Sequence, residues 1–406
     1  MTNMQRLGIN PLYPKARELY QKQLALIRES ADLSESNKES IEQFLIKCQG
    51  AGISIMRLVF YANRLRQVTE ILKKDFREAE RADFERVMAK IEERGYKGHT
   101  IDAFIVSIKT FYRWLYRLDK ADPLPKCVSW IERRRPPNTL KKEDLLTDEE
   151  VNLLIRRTDD PMIKTMLAVL YETAVRPEEL RGMRMRDVHI NTSMVKIYVR
   201  GKTAKESGER VVFCARSYPL IQDWVQHHIN RGNPDGWLWP DRGDKSMPLS
   251  DPNLRQIIYR HSRLNLPGKH VWTYLFRHSM GTWIYKNFPS PIARRMMGHA
   301  PGSRMERVYV HLAEEDLVNA IEAEYNLRGD DKPVKNGVCV KCGSILYFGD
   351  LCCRKCGLAE NSRKAYEKDA EEQIVNATMN TLMSDPQIQA RILELREGIR
   401  QKLGFE

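Results

Sequence analysis

The stretch "MVKIYVRGKTAKESGERVVFC" (194–214) alternates apolar and polar residues on either side of a turn rich in Gly, Ser and Lys. A period of two around such a turn marks a β-hairpin. Both flanks carry helical signals instead. "LLTDEEVNLLI" opens a segment that runs to about 186, with Thr147 and Glu150 as a capping box and Leu146 with Val151 as a hydrophobic staple. Helices resume from Pro252 to about Leu327. A hairpin embedded among helices predicts a mainly α fold with a small β-hairpin or sheet.

Upstream, residues 35 to 130 are amphipathic and helical. Ser36 with Glu39 reads as a capping box. Thr100 reads as a cap before Phe104, Ile108, Phe111 and Leu115, which recur at helix spacing. This predicts an all-α N-terminal domain of four or five helices over 1–130. "IERRRPPNTLKKED" then interrupts the pattern with two prolines and five basic residues, giving a basic linker over 131–145. A linker lying along a phosphate backbone and a merely solvated loop both fit it. The helix-and-hairpin domain spans 146–328, a cysteine-rich unit 335–358, and a charged helical tail 360–406.

The chain has 67 Lys and Arg against 54 Asp and Glu, a formal net charge of +13. That surplus favours a polyanionic partner, because each phosphate neutralised releases counterions. There is no run of eighteen apolar residues and no secretory signal in "MTNMQRLGINPLYPK", so the expected location is cytoplasmic.

Of eight cysteines, Cys48, Cys127 and Cys214 are isolated, as expected of reduced, buried thiols, and five crowd into 339–356. Cys339 and Cys342 form one C-x-x-C, and Cys353 and Cys356 form a second after ten intervening residues, each pair followed by glycine. Four soft ligands in this layout suit tetrahedral zinc in a ribbon, with Cys352 the less well-spaced substitute for Cys353. Four thiolates leave no position to activate water, so the expected ion is one structural Zn2+.

Four short stretches carry candidate chemistry. In "YETAVRPEELRGMRMRDV" Arg176 precedes Pro177, which excludes it from the helix and suits the first helical position itself. A guanidinium at such a rigid entry is placed either to take a phosphate bidentately or to pair with Glu178 or Glu179. Lys202 stands at the hairpin turn, where a lysine is ordinarily just solvated; in a groove it would protonate a leaving oxygen. Arg277 and His278 open a helix in "WTYLFRHSMGTWI", with Met280, Trp283 and Ile284 as core positions. In "MMGHAPGSRMERVYVHL" a helix from Pro291 ends at Gly298, leaving His299 at its edge. Ser303 and Glu306 then cap a helix with Tyr309 in its second turn. A tyrosine near its usual pKa of about 10 is a weak nucleophile. It becomes useful against a phosphodiester whose developing charge is clamped by arginines.

From Thr147 to Tyr325 the chain resembles the tyrosine recombinases, the phage-type integrases, with a further resemblance of 36–120 to their α-helical core-binding domain. "TAVRPEEL" resembles their first arginine box, "RGKTAKESGER" their hairpin, "YLFRHSMGTW" their His-x-x-Arg-His box, and "MGHAPGSRMERVYVHL" their Gly-His and nucleophile boxes. The resemblance implies Arg176 and Arg277 as phosphate clamps assisted by His299, Lys202 as general acid and Tyr309 as nucleophile. Tyr274 stands where the family usually has a histidine. It implies no catalytic metal, double-stranded DNA with specific recombination sites as substrate, a homo-tetramer on DNA and accessory DNA-bending proteins.

The expected function is therefore a site-specific recombinase, an integrase of a mobile element working through a 3′-phosphotyrosine and a Holliday junction. The alternatives are a host recombinase resolving chromosome dimers, and a non-catalytic zinc-ribbon DNA-binding regulator. In the tail Ile388, Ile392, Leu395, Ile399 and Leu403 line one helix face, suited to intramolecular packing or to contact between subunits.

Overall fold

The structure is a computed structural model and describes residues 10–134, 140–200, 209–300, 303, 337–339 and 341–359. It divides into two compact units, Met1–Thr139 and Leu140–Glu406.

The described part of the first unit is all helical: α1 (Ala16–Arg28), α2 (Glu35–Gly50), α3 (Ile55–Leu72), α4 (Arg81–Glu93), α5 (Gly98–Leu115) and the single turn α6 (Lys126–Ser129). Helix α3 is central and packs on α1, α2, α4 and α5. Phe104, Ile108, Phe111 and Leu115 of α5 are buried, and Phe44 meets Phe111 edge to face at 5.4 Å. Such aromatic pairs add to the stabilisation that burial provides.

Two expected caps shift. Helix α2 is capped by Ser34, whose hydroxyl accepts from the Asn37 N–H at 3.3 Å, so Ser36 lies inside the first turn. The reason lies in Asn37, which is buried and bridges to the next connection, donating to the Lys74 carbonyl and accepting from the Phe76 N–H. Helix α5 starts at Gly98, which places Thr100 inside its first turn. Helix α1 was not anticipated. Its Tyr20, Leu24 and Ile27 are buried at helical spacing in an otherwise polar stretch.

In the second unit, α7 (Asp148–Arg156) begins at the Thr147–Glu150 capping box, closed by reciprocal hydrogen bonds of 2.8 and 3.2 Å. Helix α8 (Pro161–Thr173) follows, with Asp160 as N-cap and proline at its first position. Almost every residue of α8 is buried, so it forms the axis of the core, against α7, α10 (Tyr218–Gln226), α12 (Thr273–Asn287) and the strand Arg210–Cys214. Strands β1 (Val188–Ile190), β2 (Val195–Val199) and β3 (Arg210–Cys214) form an antiparallel sheet in that order. The β2–β3 register pairs Val195 with Cys214 and Val199 with Arg210, the pairing expected of the hairpin. Helix α9 (Pro177–Arg181) precedes the sheet; α11 (Asp251–Asn265), α12 and α13 (Ser290–Met297) follow α10. None of the described helices is long and apolar enough to cross a membrane.

Candidate active site

Helix α13 ends at Gly298 in the left-handed conformation (φ 62°) that glycine adopts without a Cβ penalty. The Gly298 N–H reaches the Arg295 carbonyl and the His299 N–H reaches the Arg294 carbonyl at 2.9 Å. This leaves the last carbonyls of α13 in need of donors. Three arginines from three other elements supply them. Arg210 of β3 donates through Nε to Met296 O at 3.3 Å. Arg277 of α12 donates through Nη2 to Met297 O at 2.6 Å, and Arg176 donates through Nη2 to Gly298 O at 2.9 Å. Cations at a helix C-terminus also complement its dipole.

Each arginine is brought there by local sequence. Arg176 is extended (φ −69°, ψ 148°) before Pro177 at the start of α9, the conformation that a following proline enforces. The preceding Ala174 takes a left-handed φ of 51°, and its carbonyl accepts from Arg277 Nη1 at 2.5 Å. Arg277 is buried in the second turn of α12, beside core residues Phe276 and Met280. Arg210 points inward because β3 alternates, in phase with buried Val212 and Cys214.

One buried carboxylate holds two of the three. Glu179 accepts from Arg210 Nη1 and Nη2 at 2.9 and 2.7 Å, and from Arg176 Nη1 and backbone N–H at 2.9 and 2.7 Å. Burial would raise its pKa, but the Arg210 hydrogen bonds and charge, reinforced by Arg176, hold it below the ordinary carboxylate range. Of the two sequence readings of Arg176, the pairing with a first-turn glutamate is present, and the other face of the guanidinium turns toward the end of α13.

His299 completes the cluster. Its Nε2 lies 3.1 Å from Arg277 Nη2 and its Nδ1 lies 2.9 Å from the Tyr285 hydroxyl. Burial first, then the charges of Arg277, Arg176 and Arg210, push its pKa down to about 4, so the ring is neutral near pH 7. His299 and Arg210 also line a cleft between the β2–β3 hairpin and α13, together with Tyr198, Arg294 and Arg295. This concentration of guanidinium groups around a neutral imidazole is suited to an oxyanion such as a phosphodiester.

Arg176, Arg277 and His299 are therefore together. Tyr274 sits in the first turn of α12, three residues before Arg277, and is 40% exposed. Lys202 and Tyr309 lie outside the described residues, as do Tyr325, Glu306 of the Ser303–Glu306 box and the tail from 360 onward. Sequence reasoning missed Arg210 as a member of the cluster. The available signal was a charge in phase with two inward-facing apolar residues of a strand.

The four cysteines of the paired C-x-x-C motifs also converge, with all Sγ atoms within 4.8 Å of one another. Cys339 and Cys356 approach to 3.5 Å, and Cys342 and Cys353 to 3.6 Å. Zinc–thiolate bonds of about 2.3 Å would give tetrahedral edges of about 3.8 Å, so the set fits one ion. Cys352 is exposed and outside the cluster. Gly343 and Gly357 take positive φ (69° and 72°) and return their N–H groups to Cys339 O and Cys353 O at 2.9 and 2.8 Å, which wraps each loop around its thiols.

This module is docked on the second unit's core. Phe348 is buried, meets Tyr171 edge to face at 6.1 Å and lies 4.2 Å beneath the Arg216 guanidinium. Arg216 also donates to Leu346 O at 3.1 Å and bidentately to Asp148 at 2.6 and 2.7 Å. Gly337, beside it, has φ 78° and no room for a Cβ, which would fall 2.7 Å from the Arg216 side chain.

Residues 144–316 match the family model described as the phage integrase family. Among sequences, the chain is similar to the tyrosine recombinase XerD of Pseudomonas aeruginosa, 26% identical over 255 residues, covering 58% of this chain and 78% of that protein. It is also similar to XerA of Pyrococcus horikoshii, 23% identical over 291 residues, covering 70% and 93%. Among solved structures, it shares its fold with the XerH site-specific recombinase bound to palindromic difH substrate. The TM-score there is 0.53 at 15% identity, covering 78% of this chain and 97% of that one. A lambda integrase dimer bound to a COC′ core site gives 0.53 at 12% identity, covering 68% and 77%. The family match spans the stretch that builds the arginine cluster, so residues 144–316 form a domain of the phage-integrase type, similar in sequence to tyrosine recombinases.

Proposed function

We propose that this protein is a site-specific recombinase that integrates and excises a mobile element. The observation that carries the proposal is the convergence of Arg176, Arg277 and His299 at the C-terminal end of α13. In this reading the two arginines bind the non-bridging oxygens of the scissile phosphate and stabilise the charge that develops on them. The Tyr309 phenolic oxygen attacks phosphorus and loses its proton. The bond to the 5′ oxygen breaks, and Lys202 protonates that oxygen as it leaves. A 3′-phosphotyrosine results, and attack by a 5′ hydroxyl from a partner strand reverses the step and rejoins the DNA. Tyr274 supports the phosphate by hydrogen bonding. Two such exchanges, through a Holliday junction on a tetramer, complete recombination.

The positive charge in this scheme comes from side chains. A zinc ion held by Cys339, Cys342, Cys353 and Cys356 would organise the docked module and leave the phosphate chemistry to the arginine cluster. The similarity to Xer recombinases favours a second reading, a host recombinase resolving chromosome dimers. Repeats flanking the gene, of the kind that mark attachment sites, separate the two.

The chemistry is tested with nicked duplexes built from the DNA adjoining the gene. Tyr309→Phe should abolish the SDS-stable protein–DNA adduct and leave DNA binding nearly unchanged, since only the phenolic oxygen is lost. An adduct that survives in the Phe variant would remove Tyr309 as nucleophile.

A further inference from the structure

We propose that Tyr285 is a positioning residue of the active site, its hydroxyl holding the His299 ring by Nδ1 so that Nε2 stays presented among the arginines. The catalytic consequence rests on the recombinase reading above; the positioning itself does not.

The argument begins with which atoms can donate. A guanidinium only donates, so the 3.1 Å contact between Arg277 Nη2 and His299 Nε2 makes Nε2 the acceptor. A neutral imidazole carries one N–H, which then lies on Nδ1 and donates to the Tyr285 oxygen at 2.9 Å. The opposite tautomer would set Nε2–H against a guanidinium N–H. Among the described residues, the charged groups that act on His299 include Arg277, Arg176, Arg210 and the Glu179 carboxylate. Together with burial, their net effect keeps the ring neutral, so its orientation depends on hydrogen bonds instead of on a charge of its own.

Tyr285 is placed for this by α12, which carries Arg277 two turns earlier. The phenol ring lies nearly parallel to the imidazole, at 19° with centroids 6.0 Å apart, so ring packing and hydroxyl act on the same neighbour. A hydroxyl both donates and accepts. It therefore retains Nδ1 when Arg277 turns to a phosphate and either ring nitrogen bears the proton. Phenylalanine would keep the packing and lose the grip.

The test uses the full-length protein with 15N-labelled histidine, and His299→Gln to assign the His299 signals. The unaltered protein should show His299 as the Nδ1–H tautomer, with that proton protected from exchange. Tyr285→Phe should lose the protected resonance and leave DNA affinity and melting temperature near those of the parent. Its single-turnover cleavage of the nicked duplex should slow on the order of tenfold. An Nε2–H tautomer in the unaltered protein would overturn the assignment. So would a Phe variant that keeps both resonance and rate, or one whose binding, melting and cleavage fall in parallel. If the unaltered protein forms no adduct, the recombinase reading fails, and the resonance still decides the place of Tyr285.

Discussion

At Glu179 two guanidinium groups share one buried carboxylate, which offsets the repulsion of arginines gathered so closely inside a core. The same crowding governs His299. Folded, its ring stays neutral down to about pH 4; unfolded, it takes up a proton near its usual value of about 6.5. Between those values the unfolded chain binds the extra proton. Stability therefore falls as pH is lowered from about 6.5 to about 4, by at most about 3 kcal/mol from this group. Urea denaturation at pH 7 and at pH 4.5 should show a smaller loss for His299→Gln than for the parent. An equal loss would mean that His299 does not carry the depressed pKa. His278 is depressed in the same direction, by burial and then Arg277, so some slope should remain. Tyr274 is exposed, and Tyr274→His should preserve or raise cleavage of nicked DNA. A fall of about a hundredfold, or about 2.7 kcal/mol of barrier, would show instead that the site depends on the phenol. Arg176, Arg277 and His299 were legible because proline, glycine and box spacing mark them in sequence. Arg210 was not, because its partner Glu179 is 31 residues away and only the fold makes them neighbours.

Elements were legible where local chemistry is strong. The Thr147–Glu150 box, the 194–214 hairpin and the end of α13 at Gly298 each rest on residues close in sequence. Those that depend on distant partners were missed. Helix α1 buries Tyr20, Leu24 and Ile27 in the first unit's core and packs on α3, and Ser34 displaces Ser36 as cap because Asn37 bridges to residues 74 and 76. The α13 terminus is the element on which the arginine cluster converges. Gly298→Ala introduces a Cβ at φ 62° and should cost about 1 kcal/mol in denaturant unfolding. It should also slow cleavage, because the carbonyls that hold Arg176 and Arg277 shift with the backbone. A variant that is destabilised but cleaves at the parent rate would show that the geometry of this terminus does not matter for the chemistry.

For the whole molecule, the paired C-x-x-C spacing pointed to a metal module, but nothing local in the sequence showed that Phe348 would enter the core of the second unit. Phe348, packed against Tyr171 and under Arg216, ties the module to that core. The consequence is calorimetric. The cysteine module and the core of the second unit should melt in a single endotherm, with the first unit's all-α core free to give its own. A strong zinc chelator should lower the temperature of the second unit's endotherm as a whole, without splitting off a low-temperature shoulder for the module. Phe348→Ala, losing about 3–5 kcal/mol of buried contact, should move the same endotherm and weaken its response to chelation. A separate, early, chelator-sensitive transition with the main peak unmoved would mean that the module folds on its own account.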